Sequence, residues 1–187
     1  MEQKPELQNI LNEYLESFSS EKDNLKLIND FVANHDGQQL YDRKNFKGHL
    51  TASAFIISHD RKSILLLKHK SLNRWLQPGG HIDREDESLF FSAKREVFEE
   101  TGIPLKDLEP LYKGVFDFDS HVIPENTLKK ELAHYHHDVR FLFQHKKKSS
   151  VVIEHEESTA FNWLSFSELS DYNDFARVLI KIQNIIV

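Results

Sequence analysis

The chain reads as an α+β protein with an N-terminal helical extension. Three observations predict this class. Residues 51–58 (TASAFIIS) and 63–69 (SILLLKH) are short apolar runs on either side of a polar turn. Later strand-like runs follow with few helices between them, so the regular βαβ alternation of a parallel α/β fold is absent. Ahead of all of them lie two stretches with helical periodicity.

In the first stretch Leu7, Ile10, Leu11, Tyr14, Leu15 and Phe18 recur at three- and four-residue steps, which makes one apolar stripe. Ser19-Ser20 ends it. Leu25, Ile28, Phe31 and Val32 repeat the pattern until Asp36-Gly37 stops it. These helices define an extension over 1–45, ahead of a main domain over 46–187. Packing against that domain is the expected role, and a dimer contact or a lid is the sharper alternative.

After Gly48 the pattern changes to strands. His59-Asp60-Arg61-Lys62 joins the first two as a hairpin. NRWLQPGGHID (73–83) is expected to be a loop around Pro78-Gly79-Gly80. A helix should run from Ser88 to Thr101, with Leu89, Phe90, Ala93 and Val97 on one side. Gly102 suits the left-handed residue that closes such a helix, and Pro104 opposes its continuation. Further strands are expected at 111–123, 136–146 and 160–165. Lys146-Lys147-Lys148 is expected to be a charged hairpin turn, and VVIEHEEST to enter a loop at Glu154. Asn173 opens a last helix carrying Phe175, Val178, Leu179, Ile182 and Ile186.

Composition narrows the function. A chain of 187 residues with 39% apolar residues and 14 Phe can build one sizeable core. A net charge of −6 argues against a partner that is duplex nucleic acid. The absence of cysteine excludes disulfides, zinc–thiolate sites and thiol nucleophiles. Acidic residues in every N-terminal turn argue against a signal peptide, and no apolar run is long enough to span a membrane. A cytoplasmic protein is expected.

The helix ending in REVFEETG (95–102) carries the chemistry. Glu96, Glu99 and Glu100 stand at i, i+3 and i+4, so they share a face and repel one another. Two of them lie at the helix C-terminus, where the macrodipole favours cations. A solvated acidic face is the bland explanation. A Mg²⁺ or Mn²⁺ site is the sharper one, because these ions take carboxylates, waters and substrate phosphates. The glycines of Pro78-Gly79-Gly80 allow a backbone carbonyl to approach a ligand closely.

Taken together, GGHIDREDESLFFSAKREVFEETGI (79–103) resembles the signature of the Nudix hydrolases. From Arg95 to Ile103 the agreement is complete. Upstream the loop is one residue longer than the pattern. Counting back from Arg95 puts the motif glutamate on Glu87, and counting forward from Gly80 puts it on Asp86. Helix register favours Glu87, in an ion pair with Arg95. Trp75 and Trp163 also resemble the family. HLTASAFI, FDFDSHVIP and HYHHDVRFLF are similar to a bacterial branch with an N-terminal helical extension.

The resemblance implies an α/β/α sandwich with a mixed sheet. It also implies hydrolysis of a nucleoside diphosphate linked to another moiety, by water attack at phosphorus. Glu96, Glu99, Glu100 and the Gly79 carbonyl would hold Mg²⁺ or Mn²⁺, with Gly80, Glu87 and Gly102 supporting the motif. Arg95 would contact phosphate or, as preferred, orient Glu87 and Glu99. The proton of the attacking water would pass to a box glutamate such as Glu99 or to a later loop glutamate. Of Glu154, Glu156 and Glu157, the last is the choice. A small nucleotide-type substrate is the expected partner, and a homodimer is possible. A nucleotide-binding module without turnover is the alternative. An allylic-diphosphate isomerase ranks last, because no cysteine is available.

Two further strands are rich in histidine and aspartate. Asp117, Asp119 and His121 alternate on one, and His134, His136 and Asp138 on another, so each set faces one way. If the strands pair, the sets form a transition-metal site or a wall that recognises substrate. The bland expectation is a solvent-facing half of a sheet, with Phe116, Phe118, Val139 and Phe141 inward. Either leaves His134 and His136 as candidates to touch substrate.

Overall fold

The computed structural model describes residues 4–127, 130–147 and 150–186. Among these, eight strands form one mixed sheet. They are β1 (His49–Ile57), β2 (Ser63–His69), β3 (Trp75–Leu76), β4 (Gly79–His81), β5 (Leu108–Pro110), β6 (Asp117–Ile123), β7 (His134–His145) and β8 (Ser158–Ser165). The helices are α1 (Lys4–Ser17), α2 (Lys26–Asn34), α3 (Leu89–Thr101), the single turn α4 (Phe166–Leu169) and α5 (Ala176–Ile186).

β1 is the hub, and every residue in it is buried. It runs parallel to β7 throughout, from His49 opposite His136 to Ile57 opposite Gln144. Its other edge is divided. β4 pairs antiparallel with the first half (Thr51 opposite His81), and β2 with the end (Ile56 opposite Leu65). β6 and β5 divide the far edge of β7 in the same way.

Alternation along β1 sorts the layers. Leu50, Ala52, Ala54 and Ile56 share a core with α1, α2 and α3. Phe55 and Ile57 share a second core with α5. The result is the α/β/α sandwich. On the α5 side the sheet turns polar towards the start of β1, where His49, Thr51 and Ser53 continue the face begun by Phe55.

The N-terminal helices bury Leu7, Leu11, Tyr14, Ile28, Phe31 and Val32 in the same core as Leu50 and Val139. A buried ionic knot adds to this packing. Asp117, fully buried, accepts from Lys181 of α5 at 2.9 Å, and Lys181 also reaches the Tyr14 hydroxyl at 2.7 Å. Arg177 bonds both Asp117 and Glu21. Removing one member would strand buried charge, so the knot ties α1, β6 and α5 together.

Three expectations about elements need correction. The strand expected over 111–123 begins only at Asp117, because Gly114 turns the chain at a φ of 88°. The expected loop over 73–83 contains two short strands, and β4 is the one that carries Gly79 and Gly80. Lys146 and Lys147 do not make a hairpin turn, since β8 pairs with β2 and not with β7. Lys147 instead reaches Asp107 at 3.2 Å, and Lys148 lies outside the described residues.

Candidate metal and phosphate site

α3 is positioned by its ends and its apolar stripe. Ser88 accepts from the Phe91 N–H at 3.2 Å, and Gly102 adopts a φ of 68°. Leu89, Ala93 and Val97 bury completely against the sheet. That rotation leaves Glu96, Glu99 and Glu100 along the side that meets β4.

Gly80 faces this side, and a Cβ there would lie 2.7 Å from a Glu96 carboxylate oxygen. Gly79 donates its N–H to Glu100 at 2.7 Å. A Cβ on Gly79 would lie 2.1 Å from that of Ser53. Both glycines therefore allow a close approach that a side chain would block.

Arg95 organises the rest. It donates from Nε and one terminal nitrogen to the two oxygens of Asp86, both at 2.9 Å. It also reaches Glu96 at 3.0 Å, Glu99 at 2.9 Å and the His81 carbonyl at 2.8 Å. The carboxylate that Arg95 grips through both oxygens is thus Asp86, the counterpart reached by counting forward from Gly80, whereas helix register favoured Glu87. Glu87 is exposed and precedes the cap residue Ser88, so it lies outside the helix, while Asp86 is buried beneath the guanidinium. Despite the cost of burial, Arg95 and Ser92 hold the Asp86 carboxyl below its usual range.

The glutamates respond to crowding in the opposite direction. Burial pushes Glu96 up to about 7, with Glu99 and Glu157 adding to the effect against Arg95. Burial pushes Glu100 up to about 8 against the Gly79 N–H, and Glu96, Glu157 and Glu99 add to it. Glu157, in the exposed loop before β8, is thus close enough to act on both. That loop is fastened to the end of α3 by Val152 N–H to the Thr101 carbonyl at 2.9 Å and Glu154 N–H to the Glu100 carbonyl at 3.2 Å. Half-buried acids that resist ionisation fit a hard dication, which would relieve their repulsion. The set is not closed around a point, because Arg95 draws Glu96 and Glu99 one way and Gly79 draws Glu100 another.

The histidine-rich strands do pair. β6 and β7 run antiparallel, with His121 opposite His136 and Asp119 opposite Asp138. The face is not a solvated one, for Asp138 and His134 are buried. Its aspartates bind cations of the protein itself: Arg140 reaches Asp138 at 2.9 Å, Asp119 at 3.0 Å and Asp117 at 3.3 Å. Against burial, His121 and Arg140 lower Asp119 to about 2. His134 and His136 gather instead with His49 and His81. Burial and neighbouring imidazoles lower His49 to about 4 and His136 to about 2. Among the described residues, the set of three metal-binding side chains that converges, with ligand atoms within 4.8 Å of one another, is His49, His81 and His136. Sequence reasoning missed His49 and His81. They come from distant strands, and only the register of β1 with β4 and β7 brings them together.

A family model described as the NUDIX domain matches residues 47–181. The chain belongs to the NUDIX family. Among curated NUDIX relatives, a probable DHNTP pyrophosphohydrolase of Lactococcus lactis subsp. cremoris is 31% identical over 105 residues, covering 56% of this chain and 59% of that protein. An m7GpppN-mRNA hydrolase of Bos taurus is 29% identical over 122 residues, covering 59% and 39%. The chain thus spans less than two thirds of the length of these relatives. Among solved structures, a C. elegans Ap4A hydrolase superposes with a TM-score of 0.56 at 20% identity, covering 73% of this chain and 96% of that one. The NUDIX domain of Shewanella oneidensis NrtR, complexed with ADP ribose, gives 0.54 at 18% identity, covering 85% and 98%. These likenesses establish the fold. Among the described residues, no helix is long and apolar enough to cross a membrane.

Proposed function

We propose that this chain is a divalent-metal-dependent pyrophosphohydrolase acting on a nucleoside diphosphate linked to another moiety. The observation that carries the reading is the pair of half-buried carboxyls on α3, Glu96 and Glu100, both raised by burial and both pressed by Glu157. Glu96, Glu99, Glu100 and the Gly79 carbonyl would hold Mg²⁺ or Mn²⁺. Such an ion would neutralise diphosphate charge and make a bound water more acidic.

The side chains have separate tasks. Arg95 positions Glu96 and Glu99 by fastening them to Asp86 and to the His81 carbonyl. Glu157 accepts the proton of the attacking water, with Glu99 as the other candidate. The new oxygen–phosphorus bond forms as the bond from that phosphorus to the bridging oxygen breaks, and the leaving phosphate carries the bridging oxygen away. An acidic chain could accept an anionic substrate this way because bound cations would reverse the charge at the site.

The test begins with metal-free protein and a panel of nucleotide sugars, dinucleoside polyphosphates, ADP-ribose, nucleoside triphosphates and dihydroneopterin triphosphate. Turnover should appear on adding Mg²⁺ or Mn²⁺, and ¹⁸O-labelled water should mark a single phosphorus. Activity no higher than that of a Glu99→Gln, Glu100→Gln double variant would reject the reading. Tight nucleotide binding without turnover would favour a regulatory module instead, which the ADP-ribose complex of the NrtR NUDIX domain makes a concrete rival.

A further inference from the structure

We propose that His49, His81 and His136 form a second metal site, selective for a borderline divalent transition ion, with Zn²⁺ as the fitting occupant. It is independent of the proposed hydrolysis. The three residues belong to three adjacent strands. His49 on β1 stands opposite His136 on β7. His81 on β4 stands opposite Thr51, two residues further along the same face of β1. Ring centroids are 4.6 Å apart for His49 and His136, 5.1 Å for His49 and His81, and 5.3 Å for His81 and His136.

His49 supplies the second observation. It is 1% exposed, and neither ring nitrogen makes a hydrogen bond of good geometry, the Asn45 backbone offering only a poorly aligned contact. Among the described residues these are the only buried side-chain nitrogen or oxygen atoms left so. The neighbouring buried aspartates are all bonded to arginine or lysine. A neutral imidazole sealed from water with so poor a partner is costly, and a metal bond is one way to satisfy it.

The geometry is close to what an ion needs. Imidazole nitrogens around tetrahedral Zn²⁺ lie about 3.4 Å apart. With ligand atoms already within 4.8 Å, the set must close by no more than about 1.4 Å, a distance that ring rotation on fixed strands can cover. An all-nitrogen set suits Zn²⁺, Ni²⁺ or Cu²⁺, whereas the carboxylates on α3 suit Mg²⁺ or Mn²⁺. Three ligands leave a fourth position open. His121 and His134 border it, each with Nδ1 already engaged, by Asp119 at 2.7 Å and by the Leu132 carbonyl at 2.6 Å. A bound ion would pin β4, at the residue that follows Gly79 and Gly80, to β1 and β7.

The test uses the full chain, stripped by chelation and titrated with Zn²⁺, and separately with Co²⁺, in excess Mg²⁺. One Zn²⁺ should bind per chain, and Co²⁺ should show the intense visible bands of a tetrahedral nitrogen-rich site. His49→Gln should weaken Zn²⁺ binding about 100-fold or more, while Glu100→Gln leaves it unchanged. His81→Asn, at a more exposed position, provides the same test should His49→Gln not fold. Substoichiometric Zn²⁺ binding, a weak octahedral Co²⁺ spectrum, or equal losses in the histidine and glutamate variants would overturn the proposal.

Discussion

The carboxylates of α3 and the imidazoles of β1, β4 and β7 meet one problem, the crowding of like groups, in different ways. The carboxylates stand on one helix, three of them within five residues, and Arg95 is set among them. They remain partly ionisable, with Glu96 raised to about 7 and Glu100 to about 8. The imidazoles come from three strands of the sheet. His49 and His136 stay neutral, because burial and neighbouring imidazoles lower His49 to about 4 and His136 to about 2. Burial first, and crowding after it, drives Glu96, Glu100, His49 and His136 alike towards the uncharged form. A nearby counter-charge would favour the ionised form of Glu96 and Glu100 at neutral pH. His49 and His136 are already in the protonation state that binds a transition ion.

Arg95 is the feature that one cluster has and the other lacks, so its removal should have the largest effect. Arg95→Met leaves Asp86, almost completely buried, without its partner. Loss of one member of a buried pair costs about 3–5 kcal/mol. Urea unfolding should show this as a lower midpoint, with Zn²⁺ binding retained by the protein that remains folded. A loss below about 1 kcal/mol, the worth of an exposed ion pair, would mean that Arg95 is only a surface partner of the glutamates.

Gly80→Ala should separate the clusters. The added methyl meets the tip of the Glu96 side chain, which can swing, and not backbone. Stability should change little, while displacement of one ligand lowers turnover about 30-fold, or about 2 kcal/mol of barrier. Zn²⁺ affinity should hold, since His81 projects from the other face of β4. Equal losses of both functions would show that the two sites move as one.

What sequence alone conveyed depended on how locally each feature is encoded. α3, from the Ser88 cap to the Gly102 stop, follows from periodicity and end chemistry within a single helix. The Glu96, Glu99 and Glu100 face follows from the same spacing. Asp86 was not legible, because the choice between it and Glu87 turns on where an irregular loop enters the helix. His49 and His81 were invisible, because a site spanning three strands is specified by register, and β1 meets β7 only after a long excursion of the chain. The Asp117 knot was missed for the same reason. Its aspartate looked like a metal ligand until Lys181 and Arg177, from the far end of the chain, filled its coordination.

The smallest expected effect is a pH dependence in which the clusters pull in opposite directions. In metal-free protein Glu96 and Glu100 keep protons that the unfolded chain releases near 4.5. Their raised values give stability that is complete below that point and is lost as pH rises through about 7 and 8. His49 and His136 are lowered from 6.5, so the folded state binds fewer protons, and stability is gained as pH rises towards 6.5. Between 4.5 and 6.5 the two trends oppose each other. Between 6.5 and 8 only the carboxylates change, and stability should fall by on the order of 1–2 kcal/mol. Denaturant titrations across that window should show the decline in wild-type protein without metal. Saturating Mg²⁺ should flatten it, as should Glu96→Gln with Glu100→Gln. A decline that survives both treatments would place the titrating groups elsewhere and remove the electrostatic reason for a cation at α3.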